Sequence, residues 1–206
     1  MKRALTGVVA VLAAACAPLN PPPSPAERER AELHWARHRE ALSQVLGFSL
    51  QGRLADDRGR SGELSWQQRA DGSFALQLRG PFGAGGVAID GDVQRVRVRT
   101  KHGEQLTEDP RSWMREQLGW DLPLDDLRDW VLGLPAQGPV EALVLDAEGR
   151  LAQLQQHGWS VRYERYQRVG ALQLPQRLDA ESGDIRLRLL VDRWTAIDLA
   201  AAPDDD

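Results

Sequence analysis

The sequence lacks most of the residues that build covalent, redox or metal chemistry. Its 206 residues include a single cysteine, Cys16, and only four histidines. One cysteine cannot form an internal disulfide, so a disulfide-stapled scaffold is excluded. The G-x-S-x-G, P-loop and H-E-x-x-H motifs are also absent. We therefore expect no enzyme, no catalytic residue, no metal centre and no cofactor.

A surplus of positive charge is also missing. Acidic residues outnumber lysine and arginine by 30 to 26, which gives a formal net charge of −4. Nucleic-acid binding needs a basic face, so this balance disfavours it.

Long apolar runs are absent except at the start of the chain. Lys2 and Arg3 precede an apolar run from Ala4 to Ala15 that is too short to span about 30 Å of hydrocarbon. A basic start, a short apolar centre and small residues at the end are typical of a signal peptide, which we place at residues 1–15. A membrane anchor or a buried helix is the alternative.

Cys16 follows three alanines at the expected cleavage point. The run resembles the lipobox of bacterial lipoproteins, with Ala13 in the place usually taken by leucine. This resemblance implies a lipid on Cys16. A lone thiol in an oxidising compartment would otherwise be a liability. The residue after the cysteine is Ala17 rather than aspartate, which implies an outer-membrane address on the periplasmic face.

A proline-rich segment separates Cys16 from the rest of the chain. Residues 16–24 contain Pro21, Pro22 and Pro23, which predict an extended tether. The capping-box spacing of Ser24 and Glu27 predicts a helix that continues to about Leu46 and ends at Gly47. We expect one domain over residues 25–199 and a disordered acidic tail over residues 200–206.

After this helix the apolar residues recur at every second position. The alternation predicts about ten short antiparallel strands with one apolar and one wet face. Glycine-bearing turns separate the strands, at Arg58-Gly59, Asp71-Gly72, Asp90-Gly91, Glu148-Gly149, His157-Gly158 and Ser182-Gly183.

Two apolar stripes of helical spacing interrupt the strands. The first starts near Asp109-Pro110, and the second ends at Gly133 and Pro135. The predicted fold is mostly β with some α: a strongly curved antiparallel sheet that forms an incomplete barrel. Its helices cap a hydrophobic cavity on the concave face.

Three polar clusters and one exposed loop could carry function. For His34 and His38, and for Arg95, Arg97 and Arg99, a solvated surface is the favoured interpretation over metal or lipid binding. For Asp125, Asp126 and Asp129, near a predicted helix start, the favoured interpretation is complementation of the helix dipole and solubility. Phe82 lies between Pro81 and Gly83 at the tip of a predicted hairpin. Either it folds back under the loop, or it forms an exposed apolar finger for lipid.

Several stretches together resemble the LolB family of outer-membrane lipoprotein receptors. They are the lipobox at Cys16, the run from Leu76 to Gly83, the run from Leu127 to Pro135, and the C-terminal run from Arg188 to Trp194. The family resemblance implies an incomplete barrel that accepts lipoproteins from the periplasmic carrier LolA and inserts them into the outer membrane without ATP. It also implies that the loop of Pro81, Phe82 and Gly83 is the membrane or transfer loop.

The resemblance implies three partners: LolA, the lipidated cargo and outer-membrane lipid. We expect a monomer. The candidate cavity or lid residues are Trp66, Leu76, Trp113, Met114, Leu127, Trp130 and Val131. Aromatic and apolar residues at these spacings are also typical of a packed core. The alternative function is a structural lipoprotein that binds a protein partner or peptidoglycan through its sheet face.

Overall fold

A computed structural model describes residues 23–80, 86–92, 95–118 and 124–200. The first helix, α1, covers Pro25–Ser43. Its start has the predicted capping box: the Glu27 amide donates to Ser24 Oγ, and the Ser24 amide donates to Glu27 Oε2 at 2.7 Å. This reciprocal pair satisfies two amide groups that a helix start leaves without partners.

Eleven strands and two further helices follow in the described part of the chain. The elements before the central helices are β1 (Val45–Asp56), β2 (Ser61–Gln68), β3 (Phe74–Arg79), β4 (Gly86–Gly91), β5 (Val96–Thr100) and β6 (Gly103–Thr107). The helices are α2 (Pro110–Leu118) and α3 (Leu124–Leu132). The later strands are β7 (Ala142–Leu145), β8 (Leu151–Gln156), β9 (Trp159–Val169), β10 (Leu172–Ser182) and β11 (Ile185–Leu199).

All eleven strands form one antiparallel sheet. Its order is β6-β5-β4-β3-β2-β1-β11-β10-β9-β8-β7, so the first and last strands pair at the centre. The edge strands β6 and β7 do not pair with each other, and the sheet stays open. The expected fold, a curved sheet that forms an incomplete barrel, is thereby confirmed.

The centre of the sheet is bent by irregularities in the pairing of β1 with β11. Register shifts occur between Ser49 and Leu50 and between Gln51 and Gly52. Bulges of this kind bend a strand and increase its twist. A side chain on Gly52 would collide with the carbonyl oxygen of Leu190, so only glycine permits this close approach.

The core lies on the inner face of the sheet, where α3 packs against it. Leu50, Val161, Leu174 and Val191 are buried on the strands, and Trp130 on α3 is fully buried. The apolar stripe of α3 thus faces the concave side of the sheet, as the sequence predicted.

Two predicted boundaries are wrong. Helix α1 ends at Ser43, and Gly47 lies inside β1. A Cβ at Gly47 would lie 2.9 Å from the carbonyl oxygen of Gln68, so the glycine serves a close strand contact and does not end the helix. The predicted turn at Asp90-Gly91 belongs to β4, and the reversal follows it between Asp92 and Arg95.

Candidate functional site

A pocket of about 380 Å³ lies between α3 and the inner face of β2 and β3. Two of the predicted cavity residues, Trp66 and Leu76, lie in its wall together with Phe74 and Leu124. The other lining residues are polar or small: Gln68, Gly72, Asp92, Asp126, Arg128, Asp129, Ala136 and Gln137. The pocket therefore joins an apolar wall on the sheet to a largely polar rim on and after α3.

The size of this pocket limits what it can hold. A methylene group is about as large as a water molecule, whose share of liquid volume is about 30 Å³. A volume of about 380 Å³ accommodates on the order of twelve methylenes. One fatty acyl chain fits in large part, whereas several chains require the walls to move apart.

Helix α3 is fixed to β8 by the side chain of Gln156. This amide is fully buried. Its Oε1 accepts hydrogen bonds from Trp130 Nε1 at 3.2 Å and from the Ala136 amide at 2.9 Å. Its Nε2 donates to the Ala136 carbonyl oxygen at 2.8 Å. A buried amide with all of these partners positions both the helix and the segment that follows it.

Two further contacts join α3 to β9 and to the turn before it. The Tyr163 hydroxyl donates to the Trp130 carbonyl oxygen at 3.0 Å, and burial raises the pKa of this tyrosine well above its usual range. His157 Nδ1 and Asp126 Oδ2 lie 2.8 Å apart at the start of the helix. Both ends of α3 are thus tied to one side of the open barrel.

The predicted lid residues take different places. Trp130 and Val131 are fully buried and Leu127 is nearly so; the Trp130 and Trp159 rings lie 6.1 Å apart. Trp113 on α2 is half-buried and donates to Gln105 Oε1 at 3.1 Å. Met114 lies on α2, with its side chain outside the described part.

The two described side chains of the acidic cluster, Asp126 and Asp129, are less exposed than the expected role in solubility implies. Asp126 contacts His157, and Asp129 is half-buried in the pocket wall. Burial raises the pKa of the Asp129 carboxyl and the neighbouring Asp126 adds to this, while Arg128 acts in the opposite direction. A carboxylate loses hydration when it is buried, which makes its neutral form more favourable.

The histidine prediction is partly wrong. His34 is exposed, as expected, but His38 is half-buried and its Nε2 has no hydrogen-bond partner in the described structure. Burial lowers the pKa of His38, and the nearby Arg150 adds to this effect, while Asp146 opposes it. Among the described residues, no group of three histidine, cysteine or acidic side chains is placed to hold a metal ion.

The arginines of β5 point outward but are not simply solvated. Arg97 lies 3.1 Å from Glu104, and Arg99 lies 2.6 Å from Asp90. These ion pairs across neighbouring strands compensate the positive charge that we had considered for lipid headgroups.

The predicted transfer loop, with Pro81, Phe82 and Gly83, lies outside the described residues, and so does Cys16. The strands on either side of the loop are described: Arg79 at the end of β3 pairs with Gly86 at the start of β4. A groove of about 580 Å³ lies at this end of the sheet, lined by Leu54, Gly62, Gly80 and Leu190 among others. None of the described helices has the length and apolar character to cross a membrane.

Sequence reasoning missed Gln156, Tyr163 and His157 as the residues that fix α3. Gln156 occupies an inward position of β8, where the alternation predicts an apolar residue. A polar residue at an inward position of a strand indicates a buried hydrogen-bonding role, and the sequence contained this indication. Its partners lie 20 and 26 residues away, so its role could not be inferred from local spacing.

Comparisons with known proteins agree with this geometry. The profile of the family described as "Outer membrane lipoprotein LolB" matches residues 46–194. The outer-membrane lipoprotein LolB of Nitrosococcus oceani is 36% identical over 89% of this chain and 92% of its own length. That of Halorhodospira halophila is 35% identical over 95% of this chain and 96% of its own.

A solved structure shares the fold. The crystal structure of a LolA superfamily protein from Nitrosomonas europaea aligns with a TM-score of 0.50 at 13% identity, covering 85% of this chain and 96% of that chain. At this identity the likeness concerns the fold alone. The profile match and the identities over most of the chain, by contrast, establish descent: the chain belongs to the LolB family of outer-membrane lipoproteins.

Proposed function

We propose that this protein is an outer-membrane receptor that accepts lipoproteins from the periplasmic carrier LolA and inserts them into the outer membrane. The observation that carries the proposal is the pocket between α3 and the strands β2 and β3, in a chain of this family. Trp66, Phe74, Leu76 and Leu124 provide an apolar wall of the kind that an acyl chain requires.

The physics of lipid transfer explains why such a pocket is needed. Each buried methylene contributes about 0.8 kcal/mol. A triacylated cysteine has some fifty chain carbons, so full exposure to water costs on the order of 40 kcal/mol. Free diffusion across the periplasm is excluded at this cost, and the chains pass from one apolar enclosure to the next.

Relative affinity supplies the direction of transfer. The sequence has no P-loop, so we propose that no nucleotide drives the step. The pocket then binds acyl chains more tightly than LolA does and less tightly than the bilayer does. Because the pocket holds on the order of twelve methylenes, the walls open further when cargo with several chains enters.

We propose that the start of the chain brings the pocket to the membrane. We propose that residues 1–15 are a cleaved signal peptide, that Cys16 carries the lipid anchor, and that residues 16–24 form the tether. The single domain then covers residues 25–199. Phe82, between Pro81 and Gly83, contacts the bilayer during release.

A reconstituted transfer tests the proposal. Purified LolA loaded with a lipoprotein is mixed with the mature chain carrying Cys16→Ser, in the absence of ATP, and the complexes are separated by affinity tag. We expect the lipoprotein to move to this chain. Retention of the cargo on LolA over a range of receptor concentrations would contradict the proposed function.

A further inference from the structure

We infer that α3 is a fixed wall of the pocket, positioned by Gln156, and that the acyl chain enters between α3 and the strands β2 and β3. This inference rests on the proposed function, because it assigns the route by which the lipid reaches the pocket. It identifies Gln156 as a positioning residue, which acts through Trp130 and Ala136 and does not touch the lipid.

The bonds of α3 to the sheet lie on one side. Three hydrogen bonds of Gln156 reach Trp130 and Ala136, and the Tyr163 hydroxyl reaches the Trp130 carbonyl oxygen. All four are buried, with Gln156 and Trp130 at zero exposure. Separation of α3 from β8 and β9 would leave these buried groups without hydrogen-bond partners, and each unsatisfied buried group destabilises the protein.

The opposite side of α3 is held differently. Across the pocket, the described wall of β2 and β3 is formed mainly by the apolar side chains of Trp66, Phe74 and Leu76. On the helix side of the same pocket, Leu124 faces this wall. Opening this side exposes apolar surface, and an entering acyl chain covers that surface again.

This asymmetry decides the direction of opening. A gap on the β8–β9 side breaks buried polar bonds that a hydrocarbon chain cannot replace. A gap on the β2–β3 side separates Leu124 from the apolar wall, and a hydrocarbon chain can cover both of these apolar surfaces again. The pocket already present on the β2–β3 side is where this gap begins.

Cross-linking can test the direction of opening. In the mature chain with Cys16→Ser, the pair Phe74→Cys and Leu124→Cys is joined by a short bis-maleimide, which ties α3 to β3 across the entrance. A second pair, Leu134→Cys and Pro175→Cys, ties the end of α3 to β10, beside the close approach of Gly133 to Pro175. Entry of the fluorescent probe N-phenyl-1-naphthylamine is followed by stopped flow.

We expect the first cross-link to slow probe entry at least tenfold and the second to change it less than twofold. The matched control is each double variant treated with a monofunctional maleimide, which modifies the cysteines without joining them. If the Leu134–Pro175 cross-link slows entry as much as the Phe74–Leu124 cross-link, the inference is overturned. If the parent chain with Cys16→Ser takes up no probe at all, the proposed function fails instead.

A second experiment isolates the role of Gln156. Gln156→Leu is introduced into the chain with the Phe74–Leu124 cross-link, and folding is checked by circular dichroism. Because three of the four buried hydrogen bonds described above are then lost, α3 parts from β8 and β9 more readily, and we expect probe entry to recover to within threefold of the uncross-linked chain. Persistence of the full tenfold block in a folded variant would show that Gln156 does not fix the wall.

Discussion

Gln156 is a polar amide at the point where α3 meets the sheet. Each of its partners, Trp130 Nε1 and the amide and carbonyl of Ala136, is buried with it. Replacement by leucine keeps the size of the side chain but leaves these three groups without partners. The loss of stability in this variant therefore comes from the three buried groups that are left without hydrogen-bond partners.

We expect Gln156→Leu to lower the free energy of unfolding by about 3 kcal/mol, because unsatisfied buried groups cost roughly 1–3 kcal/mol each and the structure relaxes in part. Urea unfolding followed by circular dichroism measures this. The control is Gln155→Leu on the outer face of the same strand, which we expect to change stability by less than about 0.5 kcal/mol. Equal effects of the two substitutions would contradict the prediction.

Gln156 stabilises the folded protein, whereas the burial of the Asp129 carboxylate destabilises it. Its pKa is raised in the folded protein, so the folded state favours the protonated form, whereas the unfolded chain ionises at lower pH. The destabilisation is therefore absent at acidic pH, below the unfolded pKa, and is complete once the pH exceeds the folded pKa.

Asp129→Asn should consequently raise stability at neutral pH and have little effect near pH 3, where the aspartate is protonated in both states. Urea midpoints at the two pH values provide the measurement. Asp57→Asn, in an exposed turn, serves as the comparison and should show no such gain. A stabilisation by Asp129→Asn that is equal at both pH values would argue against a titrating carboxyl as its cause.

At the scale of elements, α1 rests on the turn between β7 and β8. A side chain at Gly149 would collide with His34 and with the helix backbone, so glycine lets the turn approach closely. His38 lies on the buried side of α1, and burial lowers its pKa, which favours the neutral ring in the folded protein. Protonation of this buried ring therefore opposes the docking of the helix.

This makes the stability contributed by α1 depend on pH. When folding lowers the pKa of a histidine, the protein has its full stability above the pKa of the unfolded state, 6.5. Stability is lost as the pH falls below that value. We expect His38→Leu to flatten the fall in stability between about pH 7 and pH 5. Thermal unfolding at several pH values tests this, with His34→Leu on the exposed side as the control. If both variants keep the slope of the parent chain, another group is responsible.

Most elements could be predicted because their signals are local. Alternation of apolar residues and glycine turns identify the hairpins, and the Ser24–Glu27 box identifies the start of α1. The end of α1 could not be predicted, because the requirement for glycine at position 47 comes from Gln68 and Asp198, which are distant in sequence. The exposed edge strand β6, with four of five residues facing solvent, also has no apolar alternation to reveal it.

The candidate site was predictable only in part, for the same reason. Trp66 and Leu76 lie on strands with clear alternation, so their inward direction follows from the pattern. The polar rim of Asp126, Arg128 and Asp129 depends on how α3 docks, which is set by Gln156 and Tyr163 on distant strands.

At the scale of the whole molecule, the proposed function requires uptake and release to be separable. In the proposed function the pocket serves uptake, and Phe82, which lies between β3 and β4 in the sequence, is proposed to serve release into the bilayer. A charged residue at the loop would resist insertion among acyl chains but would leave the pocket untouched.

We therefore expect Phe82→Glu to accept lipoprotein from LolA normally and to insert it into liposomes at least ten times more slowly. Phe82→Leu keeps the apolar character and should insert at a rate within threefold of the parent chain. Sedimentation of liposomes with labelled cargo gives the rate. Normal insertion by Phe82→Glu would remove Phe82 from the release step.

The pairing of β1 with β11 at the middle of the sheet has a consequence for biogenesis. Val45 pairs with Leu199 and Asp56 with Leu187, so the two halves of the sheet are united by partners between 131 and 154 residues apart. Contacts this distant in sequence form late and slowly. Until β11 leaves the ribosome, the strands β1–β6 and β7–β10 remain two unjoined groups, with β1 as an unpaired edge. The open barrel is therefore completed only when the last strand of the chain has been made.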